Sequence, residues 1–262
     1  MLLATSAVGK AAGNGAKPDA AKAQAASDYS KEPFVVQRMD VVQRYANDGT
    51  ADIVASVKTR VQTDAAVRAS GLLEFSYASK QDSLEIEYLK VEKPDGRIVE
   101  TPAADIQDLP MQVTREAPFY SDLRAKQIPV KGLSVGDVVE YRVHRKILHP
   151  AVEGQFWGDE SFLQGAVVLS NTLEIRFPKA KYVKVVSKDV QPEIKVEGEE
   201  KVYRWKTSQL EATAAKPENT KPKKNADQPS VQFTTFHDWA SVGAWYSGLQ
   251  RDRVEATPDI EA

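Results

Sequence analysis

The chain has 262 residues, 42% hydrophobic and 27% charged, with 35 Lys+Arg against 37 Asp+Glu and a formal net charge of -2. This apolar content suffices for one sizeable core or two small ones, the charge balance lacks the basic excess that marks nucleic-acid binding, and no stretch reaches about 20 consecutive apolar residues, the length of a membrane span. The absence of cysteine excludes disulfides, Cys-ligated zinc and thiol nucleophiles together.

Met1 to Lys10 opens with the short apolar run MLLATSAVG and no basic segment before it. The run is short for a signal-peptide core of about 7–15 residues, so the start is expected to lie downstream of the true one. Gly9 to Asp28 is mostly Ala, Gly, Lys and Asp, with Gly13, Gly15 and Pro18 set against an Ala-rich helix. It buries too little apolar surface to offset its ordering entropy, so residues 1–30 are expected to be disordered.

Order is expected to begin near Pro33. Phe34 to Tyr45 is β-branched and aromatic, Asn47-Asp48-Gly49 is a turn signal, and Ile53, Ala55, Val57 and Thr59 alternate with their neighbours. Together they predict a hairpin. Ser83 to Val91 alternates as well, with Leu84, Ile86 and Tyr88 expected on one face, before Pro94-Asp95-Gly96 turns the chain into Arg97 to Glu100. Asp105 to Asp122, with Pro110 and Pro118, reads as irregular. Further strands are expected at Arg124 to Val130, Asp137 to His144, Thr172 to Phe177, Tyr182 to Val186 and Lys201 to Thr207. Many short strands with regular turns point to a mainly β, antiparallel sandwich-like domain over residues 31–235.

Lys216 to Asp227 is polar, with two prolines and four lysines, and reads as an exposed loop. A C-terminal α-helix is expected from about Phe236 to Arg251, opened by a capping-box-like Thr235/Asp238 pair. Phe236, Trp239, Gly243, Tyr246 and Leu249 recur at steps of three or four. This stripe is expected to pack on the β-domain.

Gly132-Leu133-Ser134-Val135-Gly136 matches G-x-S-x-G, the nucleophile elbow of α/β-hydrolases, which needs a strand feeding a sharp turn into a helix. Here the following residues, Asp137 to His144, alternate at period two, so a loop between strands is expected instead. His144 and His149 lie an odd step apart and read, with His237, as ordinary histidines rather than metal ligands. Trp157, Trp205, Trp239 and Trp245 offer aromatic faces for a sugar, but Trp205 and Trp239 sit in patterns typical of cores, and Trp157 is the least easily assigned to one. Glu85 and Glu87 fall on the solvated face of their strand. Glu197, Glu199 and Glu200 surround a Gly198 turn, and no carboxylate pair stands out for glycoside chemistry.

In combination, several pieces resemble the domain-of-unknown-function family 3857. They are Leu84 to Pro94-Asp95-Gly96, Phe119-Tyr120-Ser121-Asp122, Ile128-Pro129 through Gly132, Val135-Gly136-Asp137 and Val139-Glu140-Tyr141. Phe177-Pro178, Tyr203-Arg204-Trp205, and Phe236 and Trp239 with Trp245-Tyr246 complete the set. The likeness covers most of Phe34 to Leu249. It implies a β-sandwich-like domain that precedes a transglutaminase-like core in bacterial envelope proteins. That core has a Cys-His-Asp site, which a chain without cysteine cannot carry. Residues 236–262 are then the helix and the lead-in to that core.

The expected protein is therefore a non-catalytic accessory domain, periplasmic or secreted, with no catalytic, cofactor or metal site. Its expected partners are a transglutaminase-like catalytic domain and a peptide or cell-envelope polymer. A stand-alone carbohydrate- or peptide-binding module and a serine hydrolase using Ser134 are the rival readings.

Overall fold

A computed structural model describes residues 29–211 and 230–254, with side chains to 249. The readings of residues 1–28 and of Lys216 to Asp227 fall outside it. In chain order the elements are β1 (Phe34–Tyr45), β2 (Ala51–Val61), α1 (Asp64–Ala69), β3 (Leu72–Ala78), β4 (Asp82–Glu92), β5 (Ile98–Glu100) and a 3-10 turn (Ala103–Asp105). Then come β6 (Gln107–Pro110), α2 (Gln112–Glu116), β7 (Leu123–Pro129), β8 (Val138–Ile147), β9 (Trp157–Glu160) and β10 (Val167–Pro178). The last are β11 (Lys184–Ser187), β12 (Glu193–Glu197), β13 (Glu200–Gln209), β14 (Val231–Thr234) and α3 (Trp239–Val254).

The β1–β2 hairpin forms where the Asn-Asp-Gly signal lies. Asp48 Oδ1 accepts from Thr50 N and Thr50 Oγ1 at 2.9 and 2.7 Å. Gly49 takes φ 92°, and a Cβ there would meet Gln155 O at 2.6 Å, so conformation and space both require glycine. After β2, Thr63 caps α1 by accepting from Ala66 N at 3.2 Å.

The strands assemble as one eight-stranded sheet, β12-β13-β10-β1-β2-β8-β4-β5, and two three-stranded sheets, β3-β7-β6 and β11-β14-β9. The pairings are antiparallel except β1 with β10, which run parallel. Parallel neighbours cannot be joined by a tight turn, and here the connection runs through all the elements from β2 to β9.

One face of the large sheet is apolar because the alternation puts Ile53, Ala55 and Val57 of β2, and Val139, Tyr141 and Val143 of β8, on the same side. Sheet β3-β7-β6 covers one half of it through Leu73, Phe75 and Ile128, with Phe75 edge-on to Tyr141 at 5.4 Å. Sheet β11-β14-β9 covers the other half. There Tyr45, Phe156, Phe177 and Phe233 pack at centroid distances of 4.6 to 5.8 Å, and Tyr203 and Trp205 continue the cluster. Trp205 is fully enclosed and its indole N–H donates to Ser187 Oγ at 3.0 Å.

The opposite face of the large sheet is a lattice of paired charges. Lys58 lies 2.9 Å from Glu92 and 3.8 Å from Glu140, Lys90 lies 3.4 Å from Glu140, and Arg142 lies 2.7 Å from Glu87. Burial pushes the Glu174 carboxyl up, but hydrogen bonds from Arg204 and Arg176 outweigh it and hold the group below the usual range. One face buried and one face wet is the ordinary arrangement of antiparallel sheets, and the mainly β, sandwich-like expectation holds.

Four local readings change. The register of β4 against β8 shifts between Ile86 and Tyr88. The bulge passes the buried face from Leu84 and Ile86 to Leu89 and Val91, and Tyr88 turns outward to hydrogen-bond Glu140 at 3.0 Å. The stretch Asp105 to Asp122 is not irregular throughout, since it contains β6 and α2. Helix α3 starts at Trp239, capped by Asp238, whose Oδ1 accepts from Ser241 N and Ser241 Oγ at 2.7 Å each. Thr235 is instead buried in the sandwich, bonded to Gln155 and to the backbone of Phe156. Finally, most of the helix stripe does not pack on the β-domain: Phe236 meets Trp157 of β9, but Trp239 is 87% exposed, and Tyr246 and Leu249 are also exposed.

Candidate functional site

Ser134 sits in a tight loop between β7 and β8. Its N–H donates to Asp137 Oδ2 at 2.7 Å, and Asp137 N returns a bond to Ser134 O at 3.2 Å. Lys93 Nζ lies 2.6 Å from the same carboxyl and also donates to Gly132 O. The loop is pinned to the end of β2 by Gly136 N to Val61 O at 2.7 Å and Val61 N to Asp137 O at 2.9 Å. A strand follows Gly136, where an elbow needs a helix. The motif thus closes one end of the sandwich around a buried ion pair.

The histidines are scattered. His144 Nε2, on the charged face, lies 2.6 Å from Asp52 Oδ1; His149 is exposed in the loop after β8; His237 stacks on Tyr182 at 3.9 Å. Among the described residues, no group of three or more His, Asp or Glu is placed to hold a metal ion. Glu85 and Glu87 lie on the wet face as expected, and Glu200 joins Arg44 and Arg176 in ion pairs.

A buried polar chain escaped the sequence reading. Gln43, on the inner face of β1, donates to Glu160 Oε1 at 2.5 Å and accepts from Tyr45 Oη at 3.2 Å. Burial pushes the Glu160 carboxyl above its usual range, and burial followed by the nearby Glu160 charge pushes the Tyr45 phenol up. Arg145 and the buried Asp82 form an ion pair in the same part of the interior. Only Gln43 breaks the apolar alternation of β1, and such a break is a weak signal. The adjoining cleft, about 310 Å³, is lined by Arg44, Tyr45, Asn47, Asp52, Pro178 and Glu200 among others. Glu160 does not line it.

The end of the sandwich opposite Ser134 is of another kind. Here β1 turns into β2, β8 ends beside the start of β4, and β10 ends beside the end of β1. The loop after β8 folds over the hairpin, with Gly154 N donating to Asp48 O at 2.8 Å, and Lys181 Nζ reaches Asn47 O at 2.8 Å. Thr235 ties the start of the α3 segment to Phe156. Trp157, Phe236 and Trp245 form a short aromatic chain at 5.7 and 6.4 Å, tilted by 46° and 47°. Trp157 is half exposed, and Trp239 stands almost free. Of the four tryptophans, then, only Trp205 has the core position that the patterns around Trp205 and Trp239 suggested. Nothing coplanar is offered to a sugar ring by Trp157, Phe236 and Trp245.

A family model, DUF3857, a domain of unknown function with a solved structure, matches residues 47–214. No curated protein matches. A candidate protease from Parabacteroides distasonis superposes with a TM-score of 0.72 at 17% identity, over 82% of this chain and 43% of that one. This chain therefore spans less than half the length of that protein, and the likeness is one of fold. An M1 zinc metallopeptidase from Deinococcus radiodurans gives a TM-score of 0.37 at 7% identity, over 67% of this chain and 39% of that one.

Proposed function

The chain belongs to the DUF3857 family, and from that membership we propose that it is a non-catalytic accessory domain. It positions a transglutaminase-like or peptidase-like catalytic domain of a bacterial envelope protein, and its work is done in the periplasm or outside the cell. The observation that carries this reading is the exposed face of α3. Trp239, Tyr246 and Leu249 stand in water on a helix that leaves the sandwich, and solvent-facing apolar stripes of this kind mark surfaces awaiting a partner. No helix among the described residues is long and apolar enough to cross a membrane.

Ser134 supports the same reading by its setting. Its loop is held by Asp137 and Lys93 for closure of the sandwich, and no contact joins the serine to a histidine among the described residues. The test is activity profiling of the purified chain with a serine-directed fluorophosphonate probe and a panel of fluorogenic peptides. Neither labelling nor turnover is expected. Labelling lost in Ser134→Ala, or turnover lost in Glu160→Gln, overturns the proposal.

A further inference from the structure

The most exposed aromatic side chains of the molecule, Phe119 and Tyr120, are each 93% accessible. They sit at the tip of the loop between α2 and β7, and the loop is firmly held. Tyr120 N donates to Ala117 O at 3.0 Å, Thr114 Oγ1 lies 2.8 Å from Ser121 Oγ and donates to Leu123 O at 2.7 Å, and Met111 N donates to Leu123 O at 3.0 Å. A loop fixed in this way presents its side chains at little entropic cost to a binding partner.

Its position is set by the next contacts. Asp122 accepts from Lys80 N at 2.7 Å, and Gln81 O accepts from Leu148 N and His149 N at 2.8 and 3.1 Å. The tip therefore stands at the end of the sandwich where α3 begins. Leu148, Trp157, Tyr182 and Trp239 are exposed as well, on separate loops and strand ends of this same end of the sandwich. At the Ser134 end the large apolar side chains left in water are aliphatic, among them Leu72, Ile98 and Val135.

We infer that the Phe119–Tyr120 tip and the start of α3 form one docking surface, and that its occupant is the folded domain following α3 in the same polypeptide, with apolar pockets for the two aromatic side chains. This rests on the accessory-domain reading. Covalent order selects the occupant: α3 carries the chain outward at this end, and more than half of the Parabacteroides protein lies outside the shared fold. The charges near the tip argue against a bilayer. Lys80, Arg115 and Arg124 balance Asp108, Glu116 and Asp122, so the tip has no cationic field to draw it to anionic headgroups. A convex pair of aromatics also suits pockets rather than the flat self-complementary patch of a two-fold dimer.

The experiment uses the complete gene product with a photo-crosslinking residue in place of Phe119 in one version and of Trp239 in another. Both positions are exposed, so unchanged circular dichroism is expected. Capture of peptides beyond residue 262 from both positions is the expected result. Capture from 239 alone, or capture of a second copy or of lipid by 119, overturns the shared surface and leaves the accessory reading standing. Capture from 119 alone also overturns the shared surface. Capture from neither position, or a gene product with no further domain, overturns both readings.

Discussion

The two ends of the sandwich are closed by opposite means. At the Ser134 end, a glycine-flanked loop folds onto β2 and buries Asp137 against Lys93, so polar groups are turned inward and satisfied. At the hairpin end, the loops are tied by backbone hydrogen bonds while aromatic side chains are turned outward. The first end turns its charges into the fold, where Asp137 pairs with Lys93 and holds the Ser134 N–H. The second leaves Phe119, Tyr120 and Trp239 in water, while Trp157 keeps a contact with Phe236. Residue type alone does not separate the two uses: Trp205 and Trp239 are the same side chain, one at 0% and one at 87% exposure.

That contrast is sharpened most by Trp205→Ala. Removing an enclosed indole packed on Tyr203 and bonded to Ser187 is expected to cost about 3–5 kcal/mol, read as a shift in the urea midpoint with unchanged slope. A cost below about 1 kcal/mol would mean that the second small sheet is not seated as described. Next comes Asp137→Ala. It leaves Lys93 unpaired and removes the acceptor of the Ser134 N–H, and breaking such a pair costs about 3 kcal/mol. If thermal melting of this variant matches the wild type, the Ser134 end is not the stabilising one.

A smaller, signed effect is expected from Glu160→Gln. Burial raises the Glu160 carboxyl above its value in the unfolded chain. The folded state therefore holds the proton more tightly, and the stability from this group is complete below the unfolded pKa and lost as pH rises through the folded one. The wild type should accordingly lose stability relative to Glu160→Gln as pH climbs from the ordinary carboxylate range upward. A difference between the two proteins that stays flat with pH, measured by urea titration, would show that burial does not raise this carboxyl.

Much of the scaffold was legible in the sequence. Asn47-Asp48-Gly49 made the β1–β2 turn, alternation placed Val139, Tyr141 and Val143 inside, and the strand after Gly136 told a closing loop from a nucleophile elbow. These are local signals, carried by side-chain period and turn chemistry. What escaped depends on a distant partner. The bulge that turns Tyr88 outward exists only in register with β8, the parallel pairing of β1 with β10 joins segments more than a hundred residues apart, and the four-residue β9, β11 and β14 have meaning only against one another. The docking surface was least legible, because apolar periodicity in α3 reports that a face wants cover but not what covers it.

The smallest expected effect is therefore also the one that separates the two ends. If α3 were seated on the sandwich, Trp239→Ala would cost about 3–5 kcal/mol, as removal of a buried indole does. With the indole 87% exposed, the expected cost is under about 0.5 kcal/mol, the range of surface substitutions. The helix start does not depend on Trp239, because Asp238 caps it through Ser241. Trp157, Phe236 and Trp245 hold the helix root to the sheet edge without it. Urea denaturation of the wild type and Trp239→Ala, followed by far-ultraviolet circular dichroism to avoid the lost fluorescence, measures the difference directly. A cost of several kcal/mol would place the indole in a core and remove the exposed face on which the accessory reading stands. A near-zero cost leaves an aromatic side chain with no structural use in this domain, and a use in binding is what then accounts for it.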